Sequence, residues 1–153
     1  MLRVEVPGRG ALALERVFLD VNGTLTDRGR LIHGVGTRLR GLSSSLAVHL
    51  LSADTFGNAA DIAARAGATF ERVEHGEEKR ALVVEAGADR AAAIGNGSND
   101  AAMLAVAALG IAVIGPEGTS AAALAAADVV SGSILAALDL LRDPTALAAT
   151  LRP

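Results

Sequence analysis

The strongest constraint on the fold is the regular alternation of short apolar segments with longer segments of helical pattern. Each short segment is rich in Ala, Val, Leu or Ile and is bounded by Gly or polar residues, as in buried strands. The predicted strands of this series cover residues 16–19, 46–51, 68–73, 90–94, 111–114 and 129–130. The predicted helices cover residues 36–44, 55–66, 77–86, 101–109, 120–127, 134–141 and 145–151. Such alternation predicts an α/β fold with a mostly parallel sheet and helices on both faces.

The N-terminal segment has a different pattern, with two alternating stretches at residues 2–6 and 11–15 around Pro7-Gly8-Arg9-Gly10. This pattern predicts a β-hairpin that precedes the sheet. The chain of 153 residues has a size typical of one domain, so we predict a single domain over residues 1–153. Apolar residues make up 51% but aromatic residues only 2%, so the core must be built from aliphatic side chains.

Composition also limits the partners. The net charge is −3 and no Lys/Arg stripe with interleaved aromatic residues occurs, so we expect no nucleic-acid partner. The longest apolar run, residues 101–115, is too short to span a membrane, and the N-terminus lacks the apolar region of a signal peptide. We therefore expect no membrane association and a cytoplasmic location.

The ends of the predicted strands carry the candidate site residues. In parallel sheets ligands bind beyond the carboxyl ends of the strands, where Asp20, Ser52 and residues 95–100 follow their strands. Asp20 precedes the turn Gly23-Thr24, whose backbone N–H groups could bind an anion. Asp20 is thus a candidate nucleophile towards phosphorus, although an aspartate at a strand end is more often a turn cap.

Three further features bear on the same chemistry. Gly95-Asn96-Gly97-Ser98-Asn99-Asp100 offers oxygen ligands suited to Mg²⁺, or alternatively a helix N-cap. Ser52 could donate its hydroxyl to a phosphoryl oxygen, or be an ordinary loop serine. Lys79 is the only lysine among 14 Lys and Arg residues, and it lies in a first helical turn, where the dipole disfavours a cation. A solvated surface lysine is the alternative, but these features favour a phosphate-binding ammonium.

Together, these segments resemble the motifs of the haloacid dehalogenase superfamily. Asp20-Val21-Asn22-Gly23-Thr24-Leu25-Thr26 resembles its first motif, and the loop at residues 95–100 resembles its fourth. Ser52 and Lys79 correspond to its second and third motifs. The resemblance is ordered along residues 18–114 and, within the superfamily, is most similar to the P-type ATPase branch. It implies a three-layer Rossmann-like fold and Mg²⁺-dependent phosphohydrolase activity on a small phosphorylated metabolite.

The resemblance also implies roles for individual residues. The implied catalytic residues are Asp20, Asn22, Ser52 and Lys79. The implied phosphate-binding residues are Gly23, Thr24, Ser52 and Lys79. The implied metal-binding residues are Asp20, Asn22, Asn96, Asn99 and Asp100.

The spacing of the motifs leaves no room for a cap domain. Ser52 follows Asp20 by 32 positions and Lys79 follows Ser52 by 27, and the core elements occupy both intervals. Capless relatives often oligomerise so that a neighbour screens the site, so we expect a homo-oligomer.

Two residues depart from the family pattern. The family has an aspartate as general acid and base where this chain has Asn22, and a metal-binding aspartate where it has Asn96. An amide cannot transfer the proton, so we expect slow turnover that favours good leaving groups. The alternative is a catalytically weak or inactive domain that binds phosphate or a nucleotide, or has a regulatory role.

The remaining polar residues near these motifs receive simpler interpretations. Asp54 and Thr55 are predicted to cap the following helix, with the pocket mouth as an alternative for both. His49 is predicted to be a satisfied core histidine and His75 an exposed one. His33, in a flap around residues 30–32, could approach a substrate.

Overall fold

The computed structural model describes residues Met1–Pro153. Its strands are β1 (Leu2–Val6), β2 (Gly10–Leu14), β3 (Arg16–Asp20), β4 (Thr26–Asp27), β5 (Arg30–Leu31), β6 (Ala47–Ser52), β7 (Thr69–Arg72), β8 (Ala91–Gly95), β9 (Leu109–Val113) and β10 (Val129–Ser131). Its helices are α1 (Val35–Leu42), α2 (Ala59–Ala66), α3 (Gly76–Glu85), α4 (Ala101–Val106), α5 (Ala121–Ala126), α6 (Ile134–Leu140) and α7 (Pro144–Leu151).

Six strands form the central sheet in the order β10-β9-β8-β3-β6-β7, and every neighbouring pair in it is parallel. The predicted α/β fold with a parallel sheet is therefore confirmed, as is the N-terminal hairpin, in which β1 pairs with β2 in antiparallel register. β4 and β5 form a second, two-stranded hairpin just after Asp20. No helix of the structure is long and apolar enough to cross a membrane.

Alternate side chains of the strands enter two separate cores, one on each face of the sheet. Val17 and Leu19 of β3 belong to a core of 28 buried residues, which also includes residues of α1, α2, α6, α7 and the hairpin. Phe18 belongs to a core of 10 residues with α3, α4 and α5. Four of these 10 are alanines, and small side chains let helices approach a sheet closely. Both faces are thus covered, giving the three predicted layers.

Two helix boundaries were predicted wrongly. The helix predicted to end at residue 109 ends at Val106, because the backbone of Ala107 is extended, and Leu109 already begins β9. The sequence predicts a helix from residue 55, but α2 begins at Ala59. The preceding residues form a turn because Asp54 and Gly57 have φ angles of 58° and 70°, which no right-handed helix accommodates. The side chain of Asp54 accepts a hydrogen bond from Ala59 N at 2.9 Å, so it does cap the helix, from further upstream than expected.

Candidate active site

The predicted site residues meet at an open cleft of about 370 Å³ beyond the carboxyl ends of the central strands. The parallel register places Asp20 of β3 beside Leu51 of β6, so that Asp20 and Ser52 end adjacent strands. The cleft is lined by Asp20, Asn22, Gly23, Ser52, Ala53, Thr55, Val73, Glu74, Lys79, Asn96, Gly97, Asn99 and Glu117.

Asp20 lies at the base of this cleft and is only 6% exposed. Its Oδ1 accepts a hydrogen bond from Lys79 Nζ at 2.7 Å, and its Oδ2 accepts one from Thr24 Oγ1 at 3.0 Å. Burial and the nearby charge of Asp100 raise the pKa of Asp20 to about 7, although Lys79 and Thr24 act in the opposite direction. Two hydrogen bonds therefore hold the carboxylate in place, and its buried environment makes it harder to ionise than an exposed aspartate.

Lys79 lies in the first turn of α3 and is buried, so the structure brings it to Asp20 across 59 positions of sequence. Its Nζ donates to Asp20 Oδ1 at 2.7 Å and to Asp100 Oδ1 at 2.6 Å. Burial alone would lower the pKa of Lys79, but the two carboxylates outweigh burial and raise it. Lys79 is thus a fixed ammonium at the base of the cleft.

Asp100, a predicted metal ligand, binds Lys79 and the neighbouring loop in this structure. Its side chain is fully buried and does not line the cleft. Oδ1 accepts from Lys79, while Oδ2 accepts from the backbone N–H groups of Asn96 and Gly97 at 3.0 and 2.9 Å. Both oxygens accept hydrogen bonds, so Asp100 positions Lys79 and the loop, and its role as a metal ligand stays a prediction.

In the turn after Asp20, Thr24 is hydrogen-bonded within the protein. The backbone N–H groups of Thr24, Leu25 and Thr26 all donate to Val21 O, at 3.2, 2.9 and 3.2 Å. The amide of Thr24 is thus not free to bind phosphate, and its buried side chain does not line the cleft. The Thr24 side chain supports Asp20, and its role in phosphate binding stays a prediction, whereas Gly23, with φ of 77°, does line the cleft.

Ser52 has the geometry that a phosphate donor requires. Its side chain is 2% exposed and lines the cleft. Its Oγ accepts a hydrogen bond from Asp54 N at 2.9 Å. Because this bond uses only a lone pair of the oxygen, the hydroxyl proton of Ser52 is available for a ligand.

Asn22, Asn96 and Asn99 all line the cleft, so three of the four asparagines of the chain meet there. The side chain of Asn96 is engaged at both ends. Its Nδ2 donates to Gly118 O at 2.8 Å, and its Oδ1 lies 3.0 Å from Thr24 Oγ1, whose single proton is shared between Asn96 Oδ1 and Asp20 Oδ2. Asn96 therefore joins the turn after β3 to the loop after β9.

Two charged lining residues were not found from the sequence, namely Glu74 and Glu117, and two apolar ones, Ala53 and Val73, were also missed. Each glutamate follows the carboxyl end of a parallel strand, β7 and β9 respectively. The rule that predicted Asp20 and Ser52 as site residues could therefore have found both glutamates. Oε2 of Glu117 accepts a hydrogen bond from Arg28 N at 3.2 Å.

The structure distinguishes between the alternatives that the sequence left open for Asp54, Thr55 and the histidines. Thr55 lines the cleft, whereas Asp54 caps α2 and does not. His49 is half-buried, stacks on Phe18 with ring centroids 4.6 Å apart and contacts Thr69 Oγ1 at 2.9 Å. His33 and His75 are exposed and lie outside the cleft.

Comparison with known proteins gives limited sequence similarity and clear structural similarity. No protein-family model matches the chain. An uncharacterized protein of Methanocaldococcus jannaschii is 48% identical over 60 residues, which are 39% of this chain. The matched segment covers 64% of that protein, so the chain spans less than two thirds of its length.

Among solved structures, a hydrolase assigned to the haloacid dehalogenase family from Streptomyces avermitilis superposes with a TM-score of 0.67, at 21% identity over 84% of each chain. The 3-deoxy-D-manno-octulosonate 8-phosphate phosphatase of Moraxella catarrhalis, solved with magnesium, phosphate and the sugar acid, gives 0.67 at 18% identity. It covers 91% of this chain and 94% of its own. A zinc-transporting P-type ATPase gives 0.63 at 26% identity, over 79% of this chain and 20% of the pump.

Proposed function

The chain has the haloacid dehalogenase fold, and from this fold and its site we propose that it is a metal-dependent phosphohydrolase. Its substrate would be a small phosphorylated metabolite, cleaved in the cytoplasm through an aspartyl-phosphate intermediate. One observation carries this proposal: a buried aspartate, Asp20, is fixed at the base of an open cleft by a buried lysine, Lys79. Ser52 and Gly23 line the same cleft, so donors for a phosphoryl group surround the nucleophile.

In the proposed reaction the carboxylate of Asp20 attacks phosphorus, and the bond between phosphorus and the leaving group breaks. The leaving group departs with the electron pair, and the phosphoryl group is left on Asp20. Lys79 and the hydroxyl of Ser52 contact the phosphoryl oxygens and stabilise their charge. Water then hydrolyses the aspartyl phosphate, which releases inorganic phosphate and restores the carboxylate.

The donor set fits a hard divalent cation, although with few charges. Asp20, Asn22, Asn96 and Asn99 line the cleft, and oxygen ligands are those that Mg²⁺ prefers. The Asp20 carboxylate, the Asn22 backbone carbonyl and the Asn96 and Asn99 amide oxygens would hold the ion, and the Asn96 oxygen would exchange its contact with Thr24 Oγ1 for it. No cluster of three or more His, Cys, Asp or Glu residues is present, so we expect weak binding. When bound, Mg²⁺ would neutralise charge on the phosphoryl group during transfer.

Asn22 determines which substrates can react well. The family aspartate at this position protonates the leaving group, and an amide cannot replace it. A leaving group that is stable without protonation, such as a carboxylate or a phenolate, should therefore depart faster than an alkoxide. We expect the rate to fall as the pKa of the leaving group rises, with acyl and aryl phosphates hydrolysed faster than sugar phosphates.

The direct test is a phosphatase assay with Mg²⁺ on acyl, aryl and sugar phosphates, using the wild type and Asp20→Ala. We expect activity in the wild type with the order acyl and aryl above sugar, and none in Asp20→Ala. Activity that survives Asp20→Ala would refute the proposed mechanism. Rates that do not depend on the leaving-group pKa would refute the proposal that the lack of a general acid at Asn22 limits the reaction.

A second candidate function is a domain that binds phosphate or a nucleotide without useful turnover. The observation that favours it is the engagement of Asn96, whose amide is bonded at both ends where the family has a charged metal ligand. Such a domain would bind the anion through Lys79 and Ser52 and leave it intact.

The substitution Asn22→Asp separates the two candidates, because it restores the missing proton donor and acceptor. If the remaining site is competent, kcat on a sugar or alkyl phosphate should rise by about 10²–10⁴-fold. Asn99→Asp is the comparison variant, since it adds the same charge at a proposed metal ligand and so separates an effect of charge or metal binding from proton transfer. No gain in Asn22→Asp, with no Mg²⁺ binding by calorimetry, would favour the binding function.

A further inference from the structure

The charges that line the cleft are mostly negative. Asp20, Glu74 and Glu117 carry carboxylates, and Lys79 is the only cation among the lining residues. The chain contains 14 Lys and Arg residues, yet none of the others lines the cleft. A phosphoryl group bound by Lys79 and Ser52 therefore finds no second cationic side chain for another anionic group on the same substrate.

The two glutamates lie on opposite sides of the nucleophile. Asp20 ends β3, and β3 lies between β9 and β7 in the sheet order β10-β9-β8-β3-β6-β7. Glu117 follows β9 on one side, and Glu74 follows β7 on the other. A leaving group that extends from the phosphoryl group towards either wall therefore meets a carboxylate.

Only Glu117 lacks a side-chain cation as partner. Glu74 Oε1 lies 3.4 Å from Arg72 Nε, so the charge of Glu74 is partly balanced. Glu117 Oε2 accepts from the backbone N–H of Arg28, while the guanidinium of Arg28 pairs with Asp27 at 2.9 Å. The charge of Glu117 is thus held by a neutral donor, and its second oxygen remains available as an acceptor.

The position of Glu117 is also fixed by its neighbours in the loop after β9. Asn96 Nδ2 donates to Gly118 O at 2.8 Å. On the other side of Glu117, Gly115 packs so tightly against the carbonyl of Gly23 that a Cβ there would overlap it. The loop is therefore held directly against the turn that follows the nucleophile.

We propose that Glu117 determines substrate specificity, so that the cleft prefers phosphate monoesters whose leaving group carries an amine over those that carry a carboxylate. The proposal rests on the proposed function for the location of the reacting phosphate. It separates this chain from the neighbour solved with an acidic sugar, because a carboxylate on the leaving group would be repelled from the Glu117 wall. Coulomb attraction and repulsion at partly exposed positions predict an affinity ratio of about tenfold at low ionic strength.

The test uses three phenylphosphonates that differ only in the para substituent: aminomethyl, ethyl or carboxymethyl. Phosphonates are not hydrolysed, so their dissociation constants, measured by calorimetry at low ionic strength with Mg²⁺, do not depend on turnover. The wild type should bind the amine most tightly and the carboxylate least, and added salt should reduce the difference. The corresponding phenyl phosphates, assayed in parallel, should give the same order of kcat/KM.

Three variants identify the residue responsible. Glu117→Gln should reduce the ratio of the amine affinity to the carboxylate affinity by about tenfold. The affinity for the uncharged ethyl analogue, which should stay the same, is the reference. Glu74→Gln should reduce it less, because Arg72 already balances that charge. Glu5→Gln, on the exposed face of the N-terminal hairpin, changes the net charge equally and should leave the ratio unchanged.

Each outcome decides a different point. The predicted order with the phosphonates, but no hydrolysis of the phosphates, would support the specificity of Glu117 and refute the proposed enzyme. Hydrolysis without a charge preference, or an unchanged ratio in Glu117→Gln, would overturn the inference and leave the enzyme intact. Failure of all three phosphonates to bind would overturn both.

Discussion

Three ionisable side chains form a closed set at the base of the cleft: Asp20, Lys79 and Asp100. One ammonium lies between two carboxylates, with Nζ–O distances of 2.7 and 2.6 Å. When both carboxylates are ionised, the set carries one uncompensated negative charge in a buried place, which is costly. The cost falls on Asp20, because Asp100 also receives two backbone N–H groups.

This arrangement predicts that the metal-free protein loses stability as the pH rises. The pKa of Asp20 is about 7 in the folded protein and about 4 in an unfolded chain, so the unfolded chain releases the proton first. Stability therefore falls between about pH 4 and pH 7 and levels off above that. In Asp20→Asn this loss is absent, so its Tm relative to wild type should rise by roughly 5–10 °C from pH 5 to pH 8 in EDTA.

Thermal unfolding of both proteins in parallel provides the control. Burial lowers the pKa of His49 and so opposes the trend at the acidic end, but His49 is common to both proteins and cancels in the difference. Mg²⁺ should raise the Tm of the wild type at pH 8, since it binds the ionised carboxylate, and should have little effect on Asp20→Asn. The same dependence of Tm on pH in both proteins, or the same increase in Tm on addition of Mg²⁺, would contradict the role given to Asp20.

At the residue scale, the sequence predicts which side chains meet but not which hydrogen bonds their donor and acceptor atoms make. Lys79 could be predicted as a site residue because it is the only lysine of an arginine-rich chain. The bond from Thr24 to Asp20 and the bond from Lys79 to Asp100 could not be predicted in this way. Such bonds depend on positions to within about 1 Å, which no sequence pattern specifies.

At the scale of elements, the loop after β9 is packed against the turn after β3. Gly115 contacts the carbonyl of Gly23, and Asn96 bonds to Gly118 O from the neighbouring strand end. The turn that presents Asn22 and Gly23 is therefore supported from outside by a segment almost 100 positions later in the chain. Its geometry depends on the absence of a side chain at Gly115.

The substitution Gly115→Ala should therefore disturb the cleft. The added Cβ would overlap Gly23 O, so the loop and turn must separate, and overpacking of this kind typically costs about 1–3 kcal/mol. We expect a lower free energy of unfolding, measured by urea titration, together with weaker phosphonate binding. Gly132→Ala is the matched control, because Gly132 has no neighbour within 4 Å of such a Cβ. Equal effects of the two substitutions would contradict the account of this contact.

The elements themselves were predictable to different degrees. The strands were found from apolar runs, because a parallel strand buried on both faces contains few polar residues. The start of α2 was not found, although Gly57 and Asn58 are residues typical of turns, because the sequence does not show the left-handed backbone of Asp54 that begins the turn. A positive φ at a non-glycine residue leaves no clear signal in the sequence.

At the scale of the whole molecule, the alternation of strands and helices was enough to predict a parallel sheet covered on both faces. It did not specify the strand order, which places Asp20 of β3 between β8 and β6. That order brings Lys79, Ser52 and the loop at residues 95–100 to one nucleophile. It follows from packing over the whole chain and not from any one segment.

The prediction of a homo-oligomer also concerns the whole molecule. This domain has no cap over its cleft, so a second copy of the chain would have to screen it. Exposed apolar side chains occur at Leu31, Phe56 and Ile114, which are 40%, 52% and 48% exposed. Burial of such side chains against a second copy would stabilise the assembly. Light scattering at micromolar concentration should show a species larger than one chain. A strictly monomeric species would refute the prediction.

The central claim is that Asp20 becomes phosphorylated, and the most direct measurement is mass spectrometry of the protein after brief reaction with an aryl or acyl phosphate and Mg²⁺. Because Asn22 cannot activate the attacking water, hydrolysis of the intermediate should be slow and the phosphorylated protein should accumulate. The account predicts one phosphoryl group per chain, located on the peptide that contains Asp20 and absent from Asp20→Asn. Hydrolysis of the substrate with no phosphoryl group on Asp20 under these conditions would contradict it.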